Sequence, residues 1–205
     1  MTTRPPEGVV IEIPQRTFGA YLFDCDGTLA DTMPLHYRAW LRVLEGREPP
    51  FDARTFYGWG GKPTGTILEE LNAHYGIDLG DFAAAAERKE RYFTESLGEV
   101  EPIEPVVRIA RGAHRRLPLA VVSGGLRRHV EATLAALGIR DLFDPVVCFE
   151  DSARPKPHPD PFLEAARRLG VPPRECLVFE DSPLGLAAAE AAGMACVRVP
   201  PLHGV

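Results

Sequence analysis

The half of the chain after Pro102 constrains the fold most, because short apolar runs alternate there with segments whose apolar residues recur at helical spacing. The apolar runs predict four strands, at residues 119–122, 145–147, 176–179 and 195–199. The other segments predict four helices, near residues 106–114, 127–137, 161–169 and 184–192. Such alternation is typical of a doubly wound parallel sheet with helices on both faces, and we expect this α/β fold.

A further buried strand is predicted before this region, where the apolar run Gly19–Phe23 stops abruptly at Asp24. Ahead of it, residues 9–13 are compatible with a short edge strand or hairpin arm that follows a loose tail. From residue 34 to about residue 97 the apolar positions recur at helical spacing, which predicts three or four helices without a strand.

The sequence therefore predicts two parts. An α/β core would consist of residues 1–32 and 102–205, and a small α-helical cap of residues 33–101 would interrupt it. Because the cap begins directly after the loop of the first strand, we expect it to cover the carboxyl end of that strand.

The composition argues against several kinds of partner. The formal net charge of −6 gives no indication of the basic face that nucleic-acid binding requires. No apolar stretch approaches the roughly 20 residues that a membrane-spanning helix needs. The four cysteines are widely spaced and form no CxxC pair, so we expect buried free thiols in a cytoplasmic protein and no zinc site.

Polar side chains follow four of the predicted strands. They are Asp24 and Asp26, Ser123 with Gly124, Lys156 after a loop, and Glu180 with Asp181. In open α/β sheets ligands bind outside the carboxyl ends of the strands, so we expect these side chains to form one site.

Four carboxylates in one crevice either raise one another's pKa or require a cation. A hard divalent ion with oxygen ligands is the natural partner, and Mg²⁺ commonly combines a few carboxylates with water and substrate phosphate. Lys156 adds a further positive charge. The set therefore predicts phosphoryl transfer, in which positioning and charge stabilisation do most of the catalysis.

The two aspartates of the first strand end suggest a division of roles, because side chains two residues apart on an extended segment point the same way. Asp24 can attack phosphorus while Asp26 handles protons at the leaving or attacking oxygen. Gly27 allows a sharp turn after them that exposes backbone N–H groups to phosphate.

These residues carry a resemblance to a known family. The run Phe23–Leu29, with the sequence FDCDGTL, resembles the first motif of the haloacid dehalogenase superfamily of phosphatases and phosphomutases. Ser123, Lys156 and the pair Glu180-Asp181 match its second, third and fourth motifs in order, so the resemblance covers residues 20–199. The cap is similar to that of the subgroup with β-phosphoglucomutase and small sugar-phosphate phosphatases.

The resemblance implies a Rossmann-like core and specific roles. Asp24 would be the nucleophile and a Mg²⁺ ligand, and Asp26 the general acid and base, with its backbone carbonyl on the metal. Asp181 would bind Mg²⁺ with Glu180 beside it. Ser123, Gly124 and Lys156 would hold the phosphoryl oxygens.

Four further residues are candidates for contact with the substrate, each with a structural alternative. His36 and Trp40 share a helical face that could reach the leaving group or simply pack. Lys62 follows a glycine-rich segment that could be a connector or a loop that binds a second anion. Arg127 could lie on a helix surface or contact the substrate.

Each motif also has a plain structural reading when it is taken alone. The aspartates and the pair Glu180-Asp181 could cap helices, Ser123 could belong to an ordinary turn, and Lys156 could be a solvated loop lysine. Gly61-Lys62 lacks the residues of a P-loop, and Ser123 lacks the preceding glycine of a nucleophile elbow.

The sequence therefore predicts a cytoplasmic, monomeric enzyme that hydrolyses a small sugar phosphate with Mg²⁺ through an aspartyl-phosphate intermediate. The main alternative is a phosphomutase of the β-phosphoglucomutase type, which needs a cap cation to hold a second phosphate. A catalytically inactive binding module is a further alternative, although every catalytic position carries a competent residue. A small phosphorylated metabolite is the expected partner, with neither nucleic acid nor membrane.

Overall fold

The computed structural model describes residues 11–44, 51–60 and 62–203. At its centre lies a five-stranded sheet, with every pair of neighbouring strands parallel. Its strands are β1 (Ala20–Phe23), β4 (Leu119–Val122), β5 (Val146–Val147), β6 (Cys176–Glu180) and β7 (Ala195–Arg198). They lie in the order β5-β4-β1-β6-β7, so the first strand occupies the middle of the sheet.

Two very short strands form a separate antiparallel ribbon. β2 (Ala30–Asp31) pairs with β3 (Glu101–Pro102), so that Ala30 lies opposite Pro102 and Asp31 opposite Glu101. The chain enters the helical segment after β2 and returns to the sheet region after β3.

The helices fall into two groups. Between β2 and β3 lie α1 (Met33–Val43), α2 (Ala53–Tyr57), α3 (Thr64–Tyr75) and α4 (Phe82–Ser96), which we call the insert. After β3 come α5 (Glu104–Ala113), α6 (Arg127–Ala136), α7 (Asp160–Leu169) and α8 (Pro183–Ala191). None of the helices in the described part of the chain has both the length and the apolar composition that crossing a bilayer requires.

The strand residues alternate between two buried layers, as a sheet covered on both faces requires. Phe23, Val121 and Phe179 face the layer that contains α5 and α6. The opposite face presents smaller residues, such as Ala20 and Ala120, to the layer that contains α7 and α8. The predicted doubly wound α/β fold is thus confirmed.

The insert has an apolar core of its own, rich in aromatic residues and centred on the fully buried Trp40. Asp52 and Asp81 begin α2 and α4, where their side chains accept hydrogen bonds from backbone N–H groups of the first turn. The four helices lie within the predicted cap range, and the division into two domains remains a proposal.

One prediction of secondary structure was wrong within the described residues. Residues 11–13 form no strand, and the remaining residues of the predicted edge strand, like the predicted tail, lie outside the described residues. The predicted loop at Glu48–Pro50 lies outside them as well.

Phe179 provides a test of the packing between the central strands. Its ring stacks on Phe23 with centroids 4.6 Å apart, and both side chains are fully buried. We expect Phe179→Ala to lower the free energy of unfolding by about 3–5 kcal/mol, because it removes a large buried ring and leaves a cavity. The measurement is urea denaturation followed by circular dichroism.

Leu163→Ala serves as the control, because this leucine of α7 is 40% exposed. We expect it to change stability by no more than about 0.5 kcal/mol. Equal losses in the two variants would contradict the assignment of Phe179 to the core.

Candidate active site

The carboxyl ends of the central strands bring the residues of all four motifs to one edge of the sheet. β1 leads into Asp24, β4 leads into Ser123, and β6 ends at Glu180. Lys156 comes from the segment between β5 and α7 and reaches the same edge. The juxtaposition arises because parallel strands have all their carboxyl ends on the same side.

The Lys156 ammonium joins three of these strands. Its Nζ lies 2.7 Å from Asp24 Oδ1, 2.7 Å from Glu180 Oε2 and 3.0 Å from the carbonyl oxygen of Val122. Asp24, Val122 and Glu180 lie at the carboxyl ends of β1, β4 and β6, and Lys156 binds to all three. Burial disfavours the charged amine, but the charges of Asp24 and Glu180 outweigh burial and raise the pKa of Lys156 above its ordinary value.

Asp24, Glu180 and Asp181 form an acidic cluster beside this lysine. One carboxylate oxygen from each lies within 4.8 Å of the others, a spacing that a single cation can bridge. Burial and the charge of Glu180 raise the pKa of Asp24 well above its ordinary value, and the same causes raise the pKa of Asp181 to about 7. A divalent metal ion among these oxygens would relieve the repulsion, so the donor set fits such an ion.

Local backbone geometry fixes two members of the cluster. Ser182 donates to Glu180 Oε1 from its backbone N–H at 3.1 Å and from its hydroxyl at 2.8 Å. A Cβ on Gly185 would overlap with the Glu180 carboxylate, so the side chain occupies space that only glycine leaves open. Gly27 has φ +85°, and a Cβ at this position would likewise overlap with the Asp181 carboxylate.

Asp26 lies outside the acidic cluster and has different partners. Its Oδ1 accepts a hydrogen bond from Thr32 Oγ1 at 2.7 Å and lies 3.6 Å from His36 Nε2. Its Oδ2 lies 3.4 Å from Ser123 Oγ. Burial favours the protonated acid, but the hydrogen bond with His36 contributes to lowering the pKa of Asp26 below its ordinary value.

Lys89 of α4 fixes the orientation of His36. Its ammonium lies 3.0 Å from His36 Nδ1, and because an ammonium only donates, Nδ1 accepts and Nε2 carries the proton that faces Asp26. The imidazole also stacks on Phe93, with centroids 4.0 Å apart. Burial and the charge of Lys89 lower the pKa of His36, which favours the neutral form of the ring.

A cavity of about 480 Å³ lies between the sheet edge and the insert. From the sheet edge, Gly124 and the acidic residues line it together with Lys156. Three of the candidate substrate contacts line it from the insert, namely His36, Trp40 and Lys62. The volume is sufficient for a small metabolite.

Two of these candidates have structural partners as well as access to the cavity. Trp40 belongs to the apolar core of the insert, so its packing role is established by the structure. Lys62 forms an ion pair with Glu70 at 2.6 Å.

Arg127, the fourth candidate, is not among the residues that line the cavity. Its guanidinium donates to the carbonyl oxygen of Val146 and pairs with Asp151. Its contact with the substrate stays a prediction. Arg128, one position along α6, lines the cavity instead. Neighbouring positions on a helix are turned by about 100°, so Arg127 and Arg128 lie on different faces of α6.

Sequence reasoning missed the buried charges of the insert. Lys89 and Glu90 lie in the charged run from Glu87 to Arg91, which resembles a solvated face, yet they are only 4% and 9% exposed. The spacing of Ala85, Lys89 and Phe93 contained a signal, because it places a lysine on the apolar stripe of α4. The pairing of Glu90 with His129 of α6, at 2.7 Å, left no local signal.

The comparisons with known proteins agree with this geometry. A family model described as haloacid dehalogenase-like hydrolase matches residues 18–193. The chain belongs to this family. The resemblance stated for the four motifs is therefore confirmed, and this haloacid dehalogenase-like hydrolase is an enzyme of the phosphatase type.

Two relatives of the hydrolase are named phosphatases. The chain is 40% identical over 182 residues to the fructose-1-phosphate phosphatase YqaB of Escherichia coli. The matched region covers 89% of this chain and 96% of the relative. The chain is 32% identical over 178 residues to the phosphorylated carbohydrates phosphatase of Thermotoga maritima, covering 85% and 82%.

Two solved structures share the fold. CbbY from Rhodobacter sphaeroides in complex with xylulose-1,5-bisphosphate superposes with a TM-score of 0.77 at 27% identity, covering 90% of this chain and 87% of the other. β-Phosphoglucomutase from Clostridium difficile superposes with a TM-score of 0.73 at 27% identity, covering 88% and 83%.

Gly185→Ala tests the position of the Glu180 carboxylate. The added methyl group overlaps with that carboxylate, so we expect the Glu180 side chain to move away from Asp24 and Asp181. We expect affinity for a divalent metal ion, measured by isothermal titration calorimetry, to fall by roughly tenfold or more.

Gly112→Ala is the matched control, because a Cβ at this helical position meets only the end of the Arg116 side chain at 3.9 Å. We expect its metal affinity to equal that of the wild type. Undiminished affinity in Gly185→Ala would show that Glu180 does not contribute to the metal site.

Proposed function

We propose that this hydrolase removes phosphate from a small sugar phosphate, with Mg²⁺ and through an aspartyl-phosphate on Asp24. The observation that carries the proposal is the acidic cluster of Asp24, Glu180 and Asp181, with the Lys156 ammonium bound to two of its members. A site of this kind combines a carboxylate nucleophile with the positive charge that a phosphoryl group needs.

The substrate class is supported by the relatives. The name of the Escherichia coli relative specifies fructose-1-phosphate, and that of the Thermotoga maritima relative specifies phosphorylated carbohydrates. The cavity of about 480 Å³ is of a size that suits such a molecule. We therefore propose a hexose or ketohexose phosphate.

Asp24, Glu180 and Asp181 would hold the Mg²⁺ ion through their side chains, and Asp26 would add its backbone carbonyl. All of these donors are hard oxygens, which suits Mg²⁺. The bound ion would neutralise phosphoryl oxygens and hold them in line with the nucleophile.

The phosphoryl group would lie between Lys156 and the turn after β4. The positive charge of Lys156 would attract its oxygens, and the Ser123 hydroxyl and the backbone N–H of Gly124 would donate hydrogen bonds to them. Ser123 Oγ accepts a hydrogen bond from the backbone N–H of Gly125 at 3.0 Å and donates to Asp26 Oδ2 over 3.4 Å. Its hydroxyl would exchange that long contact for one with a phosphoryl oxygen.

In the first step a carboxylate oxygen of Asp24 attacks phosphorus, and the bond from phosphorus to the sugar oxygen breaks. Asp26 gives its proton to that oxygen, and the sugar leaves. A bound phosphoryl dianion next to Asp26 raises its pKa and so favours the protonated form that this step needs.

In the second step a water molecule attacks the phosphorus of the aspartyl-phosphate. Asp26, now a carboxylate, takes the proton of the water, and Asp24 is released as inorganic phosphate forms. Thr32 and His36 hold the Asp26 side chain toward the cavity in both steps. The insert would cover the site and limit the access of bulk water.

A hydrolase is favoured over a phosphomutase by the comparisons. The relative with 40% identity is named a phosphatase, whereas the neighbour named a phosphomutase is 27% identical. We therefore assign water, not a second sugar hydroxyl, as the acceptor of the phosphoryl group.

Asp24→Asn tests the nucleophile. An amide cannot form the acyl-phosphate, so we expect turnover of fructose-1-phosphate and of p-nitrophenyl phosphate to fall below detection. Release of inorganic phosphate is measured for both. Asp141→Asn, at an exposed position, is the matched control and should keep full activity. Measurable turnover by folded Asp24→Asn protein would refute the assignment.

Removal of metal tests the cofactor. We expect treatment with EDTA and dialysis to abolish phosphate release and addition of Mg²⁺ to restore it, since the acidic cluster then binds its neutralising ion again. Full activity of the chelated protein, confirmed to be metal-free by elemental analysis, would contradict a metal-dependent mechanism.

A further inference from the structure

We propose that Glu70 and Glu90 determine substrate specificity by neutralising the lysines on the insert side of the cavity, so that the enzyme takes sugar monophosphates and rejects sugar bisphosphates. This inference rests on the proposed function and specifies, in addition, the charge that the leaving sugar carries. The insert side of the cavity then accepts an uncharged polyol.

Lys62 is the first of the two lysines that line the cavity from the described part of the insert. Its Nζ lies 2.6 Å from Glu70 Oε1 and 5.5 Å from the centroid of the Trp59 ring. Both partners of the ion pair are about one quarter exposed, at 29% and 26% of their side-chain surface. The ammonium therefore already has a carboxylate at short range.

Lys89 is the second lysine, and it is almost completely buried. Its Nζ lies 3.0 Å from Glu90 Oε1, and the same oxygen accepts a hydrogen bond from Thr64 Oγ1 at 2.8 Å. The other oxygen, Oε2, lies 2.7 Å from His129 Nδ1. Burial opposes ionisation of Glu90, but the hydrogen bonds from His129 and its neighbours outweigh it and lower the pKa.

Each lysine among the described residues of the insert lining is therefore paired with a carboxylate. Lys62 pairs with Glu70 and Lys89 with Glu90, and Glu87, which also lines the cavity, adds a further negative charge. Arg128 lines the cavity from α6, but it is exposed, and its Nε donates to His129 Nε2 at 2.9 Å. Because Arg128 is exposed, solvent and salt screen its attraction for an anion.

A second phosphate would be costly in such an environment. It carries between one and two negative charges at neutral pH, and burying it requires cations that are free to pair with it. Sugar hydroxyls do not require free cations, because Thr64 and the Glu90 carboxylate can exchange hydrogen bonds with them.

The relatives show that similar proteins differ in this property. One is named a fructose-1-phosphate phosphatase, and another was crystallised with xylulose-1,5-bisphosphate. Membership of the family therefore leaves open whether the substrate carries a second phosphate. In this chain the pairing of Lys62 and Lys89 with carboxylates decides it.

The experiment compares kcat/KM for fructose-1-phosphate with kcat/KM for the bisphosphate of the same sugar. We expect the wild type to prefer the monophosphate. Glu90→Gln leaves the Lys89 ammonium without its carboxylate, and Glu70→Gln does the same for Lys62. We expect each variant to raise the ratio of bisphosphate to monophosphate kcat/KM by roughly tenfold.

Glu95→Gln is the matched control. Glu95 lies on α4 like Glu90, and its loss frees a cation too, because it pairs with Arg42 at 2.7 Å. Neither of these residues lines the cavity. The change in net charge is the same, so an unchanged ratio in this variant shows that the effect depends on position.

A double variant isolates the cation. Glu90→Gln combined with Lys89→Met should return the ratio to the wild-type value, because the unpaired ammonium is gone. Lys89 also contacts His36, so turnover of both substrates falls, but the ratio cancels that loss. Thermal unfolding of every variant is measured, and Glu70→Gln, at a residue about one quarter exposed, decides the question if Glu90→Gln does not fold.

The outcomes separate this inference from the proposed function. A ratio that stays at the wild-type value in both single variants, or a wild type that prefers the bisphosphate, overturns the specificity role of the two glutamates. Absence of phosphate release by the wild type from every phosphomonoester with Mg²⁺ overturns the proposed function itself.

Discussion

The Lys156 ammonium is the interaction on which the site depends, since it holds the ends of three strands in one arrangement. Removing one partner of a buried ion pair leaves an uncompensated charge, which costs far more than the pair itself contributes. Asp24 and Glu180 are therefore kept close together although their like charges repel. The surplus negative charge that remains around them, with Asp181 added, is what makes the edge of the sheet a place for a divalent ion.

The core arrangement was predictable from the sequence because it follows from strand order and polarity. Asp24, Lys156 and Asp181 each follow a strand signal, and parallel strands put all their carboxyl ends together. Gly185 was not predictable as a site residue, because its contact with Glu180 depends on how α8 packs against the end of β6.

The insert was less predictable for a physical reason. Helical periodicity identifies a buried face, but it does not identify which other helix that face meets. The pairing of Glu90 with His129 joins α4 to α6 across a long stretch of chain, and only the packed structure shows it. Arg127 and Arg128 differ by one position on α6, and the sequence offered no reason to prefer one over the other.

The small ribbon of β2 and β3 has a mechanical consequence. Both connections between the insert and the sheet pass through it, side by side, and the backbone N–H of Ile103 bonds to the carbonyl oxygen of Leu29 at 2.9 Å next to it. Because the two connections are adjacent strands of one ribbon, the ends of the insert are tied to each other at the point where they leave the sheet region. The strands that carry the acidic cluster belong to the separate five-stranded ladder, so neither end of the insert interrupts the hydrogen bonds that hold them together.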